Sequence, residues 1–161
     1  MTLGVGDRAP EISALADDGS RIALKDLIGK GPVVLYFYPK DETMGCTAEA
    51  CAFRDSWDEV LAAGAVVIGV SSDSVESHAS FRKHHGLPFK LVSDSDKRIR
   101  DAYGVRGRLL QPRVTFVIDD AGVIRHVFAS QLAPTRHVDE ALSAIRDIHE
   151  GIARRSASPS I

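Results

Sequence analysis

The chain holds two cysteines, Cys46 and Cys51, and both fall in the stretch Val33–Asp58, VVLYFYPKDETMGCTAEACAFRDSWD. A cysteine can act as a nucleophile through its thiolate, climb the oxidation ladder from sulfenic acid, or bind a soft metal. Two cysteines five positions apart in 161 residues do not make a disulfide framework. In a reducing compartment such a pair is more often catalytic or metal-binding than structural.

The elements that must position these sulfurs can be read from the same stretch. Val33–Tyr38 is an unbroken apolar and aromatic run, as in a strand buried on both faces. Pro39–Gly45 is a polar loop, after which Ala50, Phe53, Trp57, Val60 and Leu61 recur at helical spacing, with Gly64 as the stop. Thr43 lies three residues before Cys46, so as N-cap its hydroxyl is expected to face the amide of the third helical residue. Cys46 then sits in the first turn of a helix, where free N–H groups and the positive end of the dipole stabilise an anion.

Spacing also constrains what the two thiols can do together. Five helical residues advance about 7.5 Å and turn about 140°, leaving the Cα atoms roughly 8.6 Å apart, beyond the ~7 Å that a disulfide spans. Cys46 shares a face with Ala50, Phe53 and Trp57, whereas Cys51 lines up with Asp55 and Asp58. One thiol is pocketed and the other is nearer solvent. They can join only if the helix unwinds.

Along the rest of the chain, Asp17-Asp18-Gly19-Ser20 turns between extended pieces at Glu11–Leu15 and Arg21–Leu24, an N-terminal hairpin, and Lys25–Gly29 reads as one helical turn. Ala65–Val70 is a buried strand, and Ser71–Ser77 caps a helix running to His85. Phe89–Val92 is a short strand, and Asp94–Asp96 caps a helix to Tyr103. A loop, Gly104–Pro112, carries Arg106 and Arg108; Arg113–Ile118 and Val123–Phe128 then flank a hairpin turn, and a last helix spans Arg136–Ile152. This order predicts an α/β domain with a mixed central β-sheet flanked by helices. Thioredoxin-like topology fits, as do other small α/β sandwiches. Residues 1–155 are expected to form one domain, and residues 156–161 a frayed tail.

Twenty basic residues against 22 acidic ones give a formal charge of −2 with no basic stripe, which argues against nucleic acid and anionic membrane as partners. No apolar run nears the roughly 18 residues of a membrane span, and MTLGVGDRAPEIS lacks the pattern of a signal or transit peptide; a reducing cytoplasm is expected. A metal module could use the cysteines with a histidine, yet His78, His84, His85, His126, His137 and His149 show no ligand spacing. His84-His85 is expected to turn one ring to solvent and pack the other. A disulfide reductase of thioredoxin type would want Cys-x-x-Cys, and a proline where Val114 stands. Tyr36, Tyr38 and Trp57 read as packing residues.

The segment PKDETMGCTAEACAFRDSW closely resembles the active-site segment of the peroxiredoxins, and is most similar to the peroxiredoxin Q, or bacterioferritin comigratory protein, subfamily. VVIGVSSDS, LPFKLVSD, YGVRG, RVTFVIDDAGVI and HVDEAL follow that subfamily in order, so nearly the whole chain is covered. The resemblance implies a thioredoxin-like fold with an N-terminal β-hairpin extension and a peroxidase acting on hydrogen peroxide and organic hydroperoxides without cofactor or metal. It makes Cys46 the peroxidatic nucleophile and Cys51 the resolving thiol, with thioredoxin, or else glutaredoxin, reducing the resulting intramolecular disulfide. Thr43 would offer its hydroxyl to the peroxide, Arg113 would hold the developing charge with Glu49 orienting it, Pro39 would wall the pocket, and amides near Gly45 and Cys46 would add donors. A monomer is implied, with a dimer as the alternative. The chain departs from the family at Met44, where proline is usual; losing that preorganised first helical residue costs about 0.4–1 kcal/mol.

Overall fold

The computed structural model describes residues 3–105 and 112–157. A short antiparallel hairpin, β1 (Ser13–Leu15) with β2 (Arg21–Ala23), precedes a 3-10 turn at Leu24–Asp26 and is the N-terminal extension. A five-stranded sheet follows in the order β5-β4-β3-β6-β7, built from β3 (Val33–Phe37), β4 (Val66–Ser71), β5 (Lys90–Ser93), β6 (Val114–Ile118) and β7 (Ile124–Ala129). β3, β4 and β5 run parallel, while β6 and β7 are antiparallel additions beside β3, so the sheet is mixed as expected. The helices are α1 (Met44–Asp55), α2 (Trp57–Ala62), α3 (Val75–His85), α4 (Arg98–Ala102) and α5 (Pro134–Ala157). None of them is long and apolar enough to cross a membrane, among the described residues.

β3 is central and buried at every position, so alternate residues must feed two cores. Val34, Tyr36 and Tyr38 join Cys46, Ala50, Phe53, Phe81, Val138 and Leu142 on the face covered by α1, α3 and α5. Val33, Leu35 and Phe37 join Ile12, Leu24, Ile99 and Tyr103 on the face covered by the N-terminal segment and α4. The single strand that precedes the cysteine loop is therefore locked from both sides.

Two elements depart from the sequence expectations. The helix expected to run on to Gly64 breaks at Ser56, whose amide still reaches back to Ala52 O and Phe53 O while α2 starts anew. Trp57 thus begins α2 and is half-buried against Phe89. The last helix continues through Ser156 and Ala157, which were expected to fray; residues 158–161 lie outside the described residues, as does most of the Gly104–Pro112 loop with Arg106 and Arg108.

Asp94 does cap α4, its two carboxylate oxygens accepting from the amides of Ile99 and Arg100 at 3.0 Å each. The parallel pairing of β3 with β4 needs a close approach just before the strands: a Cβ on Gly31, at φ 123°, would stand 2.0 Å from Gly64 O. Gly31→Ala is therefore expected to lower stability by at least about 2 kcal/mol in urea titrations, because the positive φ and the collision with backbone act together.

Candidate active site

The chain reaction from register to site begins at the C-terminal end of β3. Phe37 pairs with Val114, and β6 runs antiparallel, so Arg113 comes to lie beside Tyr38 where the cysteine loop leaves the sheet. α1 starts a few residues later, with Cys46 in its first turn and 1% exposed. Both cysteines are free thiols, and α1 is continuous across them; Cys46 packs with Ala50 and Phe53, while Cys51 is half-buried.

Arg113 connects the groups. Its Nη2 donates to Cys46 Sγ at 3.4 Å and its Nη1 to Glu49 Oε1 at 2.6 Å. Gly45 gives the guanidinium room, since a Cβ there would stand 3.0 Å from Nη2. Burial works against the Arg113 charge, but Glu49 and Cys46 outweigh it and hold the guanidinium above its ordinary range. Glu49 is wholly buried, and burial pushes its carboxyl up to about 8 despite the pull of Arg113. Its Oε2 has no hydrogen-bond partner and stands 3.8 Å from His137 Nδ1. That nitrogen is already engaged by Thr115 Oγ1 at 2.8 Å. His137 Nε2 donates to Ser130 O at 2.7 Å, and burial lowers the ring's pKa, so a neutral imidazole accepts from Thr115 beneath the site.

Thr43 is the N-cap by position but not by hydrogen bond. Its hydroxyl donates to Lys40 O at 2.8 Å and closes the loop turn, where the sequence predicts that it meets the amide of the third helical residue. Thr47 is the first residue of α1 whose amide finds a helical carbonyl, Thr43 O. The amides of Gly45 and Cys46 precede it and stay available to an anion. With its proton committed to Lys40, the Thr43 hydroxyl offers lone pairs to an incoming O–H group. Thr43 and Met44 are exposed, and Pro39 is half-buried directly after Tyr38.

Three anchors of this loop escape sequence reasoning. Asp41 is buried, accepts from the Tyr38 and Ser77 hydroxyls, and lies 2.7 Å from His78 Nδ1. His78 Nε2 faces Val92 O at 3.0 Å and must donate to it, so a second proton is shared between ring and carboxyl. Arg100 is wholly buried; its Nη2 donates to Tyr38 O at 2.6 Å and its Nη1 to Pro112 O at 3.4 Å, bracing the end of β3 against the segment that delivers Arg113. Nothing in the local pattern marks Arg100, which follows Ile99 on a five-residue helix. Tyr38 packs as expected but its hydroxyl also holds Asp41, whereas Tyr36 stacks on Phe53 at 5.0 Å and is packing alone.

The Glu49 carboxyl gives the site a pH signature. The unfolded chain releases this proton near 4.5 and the folded chain near 8. Between those values the folded state binds more protons, so stability falls as pH rises through the window. Glu49→Gln, which keeps an acceptor for Arg113, is expected to flatten this dependence, the difference from the parent chain growing to a few kcal/mol between about pH 5 and 8 in denaturation series.

The AhpC/TSA family model matches residues 5–127. The chain is 43% identical over 146 residues to the chloroplastic peroxiredoxin Q of Sedum lineare, spanning 89% of this chain and 78% of that one. It superposes on peroxidoxin BcpB from Mycobacterium tuberculosis with a TM-score of 0.85 and 36% identity, over 91% of this chain and 98% of that chain. The bacterioferritin comigratory protein of Xanthomonas campestris, solved as a trapped intermediate/ligand complex bearing on its alkyl peroxide reduction activity, is 32% identical with a TM-score of 0.80, over 86% and 92% of the two chains.

Proposed function

The chain belongs to the AhpC/TSA family and is a thiol-dependent peroxidase of the peroxiredoxin Q type, and from that premise we propose that Cys46 is its peroxidatic nucleophile, Cys51 its resolving thiol, and thioredoxin its reductant. The observation that supports this most directly is the Arg113 guanidinium, which reaches Cys46 Sγ and Glu49 Oε1 at once in the first turn of α1.

In the first step the Cys46 thiolate attacks one peroxide oxygen. The S–O bond forms as the O–O bond breaks, and the departing oxygen takes a proton to leave as water or an alcohol, while Cys46 becomes a sulfenic acid. Thr43 would receive the hydrogen bond of the incoming peroxide, and Arg113 with the amides of Gly45 and Cys46 would stabilise the charge growing on the departing oxygen. Pro39 would keep water from the reacting atoms. An ordinary thiol is a few per cent ionised at neutral pH, so complete ionisation adds at most about 30-fold. One preset donor in a dry pocket contributes about 10²–10³. Charge stabilisation is the larger lever.

In the second step the Cys51 sulfur displaces the hydroxyl from Cys46, its thiol proton leaves with that oxygen as water, and a disulfide forms. α1 must open for this, because the intervening turns hold the sulfurs apart. A reduced dithiol such as thioredoxin, with glutaredoxin as the alternative, returns two electrons. Hydrogen peroxide and organic hydroperoxides are both proposed substrates, and a monomer in a reducing cytoplasm is the setting this chemistry suits.

Peroxide consumption coupled to thioredoxin, thioredoxin reductase and NADPH tests the assignment. Cys46→Ser is expected to abolish consumption, and Cys51→Ser to retain a single stoichiometric turnover while losing recycling; full turnover by the Cys46 variant overturns the reading. Arg113→Ala is expected to slow the first step by about 10²–10³ even at pH 10, where a thiol is ionised without help. A stopped-flow rate equal to the parent's at that pH would remove Arg113 from the mechanism.

A further inference from the structure

Away from the sulfurs, the loop residue Glu42 meets the C-terminal turn of α3 through two adjacent imidazoles. Its Oε2 lies 2.8 Å from His84 Nδ1 and its Oε1 lies 2.7 Å from His85 Nε2. The three donor atoms fall within 4.8 Å of one another. These residues are 42 and 43 positions apart in sequence, so no local spacing announces them. Glu42 holds φ at 60°, and of the two described non-glycine residues in the left-handed region it is the one at this loop. Such a conformation disfavours a glutamate unless its surroundings hold it.

The rings are set by the fold rather than free to wander. His85 packs edge-on against Phe81 at 5.1 Å between centroids, and its carbonyl accepts from Arg54 of α1 at 2.7 Å. The two imidazoles lie 4.2 Å apart. The His85 side chain is 17% exposed, against 65% for His84 and 44% for Glu42, so one side of the cluster faces solvent. Two imidazole nitrogens and a carboxylate, open on one side to water, are the donor set of a borderline divalent transition ion.

We propose that Glu42, His84 and His85 form a binding site for a divalent ion of the zinc class, with water completing the shell. Ligands about 2.05 Å from a tetrahedral ion stand about 3.3 Å apart, and one ligand atom from each of the three residues already lies within 4.8 Å of the others, so the set has to contract by no more than about 1.5 Å. The ion takes the place of the hydrogen bonds that now join the imidazoles to the carboxylate, each neutral ring presenting the lone pair of that nitrogen and carrying its proton on the other one. The second carboxylate–histidine cluster, Asp41, Asp73 and His78, is a poorer candidate. His78 Nε2 donates to Val92 O, and the Asp41 and Asp73 oxygens are already taken by Tyr38, Ser77, Ser71 and the Asp41 amide. Because Glu42 stands two residues before α1, an occupied site would fasten the entrance of that helix to α3 from outside.

The test is a Zn²⁺ titration of the full chain carrying Cys46→Ser and Cys51→Ser, so that no thiol competes, read by calorimetry and by a chromogenic zinc indicator. One equivalent is expected to bind, and Zn²⁺ is expected to raise Tm in a concentration-dependent way. Added singly to that background, His84→Ala, His85→Ala and Glu42→Gln should each weaken binding at least tenfold and remove the Tm shift, while exposed His149→Ala should change neither. Far-UV circular dichroism checks that each variant is folded; Glu42→Gln and His84→Ala alter exposed side chains and keep the test decisive if His85→Ala unfolds. Absence of binding at 100 µM Zn²⁺, or binding that survives all three substitutions, overturns the proposal. Either result leaves the cysteine chemistry untouched, since no thiol takes part.

Discussion

One buried cation shared between two acceptors governs this molecule. Arg113 has a carboxyl on one arm and a sulfur on the other, in a place nearly free of solvent. Removing a guanidinium from water is costly, and partners must compensate it. Glu49 compensates incompletely, because its own burial favours the protonated form. The less negative charge Glu49 carries, the more of the Arg113 field falls on its other partner, Cys46. A fully ionised, doubly bonded carboxylate would have tied that field up in a structural ion pair. The antiparallel register of β6 against β3 is what brings this cation to the first turn of α1.

Around that interaction the structure divides into parts that are held and a part that can move. β3 is enclosed by two cores, Arg100 braces its end, and Asp41 is tied to Tyr38, Ser77 and His78. The loop that presents the cysteine is thus fixed to α3 and to the sheet by hydrogen bonds of buried polar side chains. α1 is different: it is a single helix of 12 residues whose stability derives from packing Ala50 and Phe53. Helices of that length are marginal alone in water, so α1 keeps its form only while docked.

Much of this was legible in the sequence because the signals were local. An apolar run followed by a polar loop and a helical period placed Cys46, and alternation with turn residues gave the strands to within a residue or two. The N-terminal hairpin and the αL stop at Gly64 followed from the same rules. What stayed hidden depended on partners distant in sequence. Asp41 reads as a loop carboxylate until His78 arrives from α3, and Arg100 looks like a solvated helix residue until β3 and Pro112 close over it. Thr43 departs from the expectation for a related reason: its hydroxyl could accept from the amide of the third helical residue or donate to a carbonyl, and it donates to Lys40 O, closing the turn. The break at Ser56 has no glycine or proline to mark it.

That break has a consequence for how far the opening proposed for α1 would travel. Both thiols lie upstream of Ser56, and Val60 pins α2 to the core on the other side. An opening between positions 46 and 51 would therefore meet a joint at Ser56, whose amide bonds back to Ala52 O while its carbonyl accepts from Glu59 and Val60 of the next helix. A longer uninterrupted rod would have carried that movement straight into the ring contact between Trp57 and Phe89.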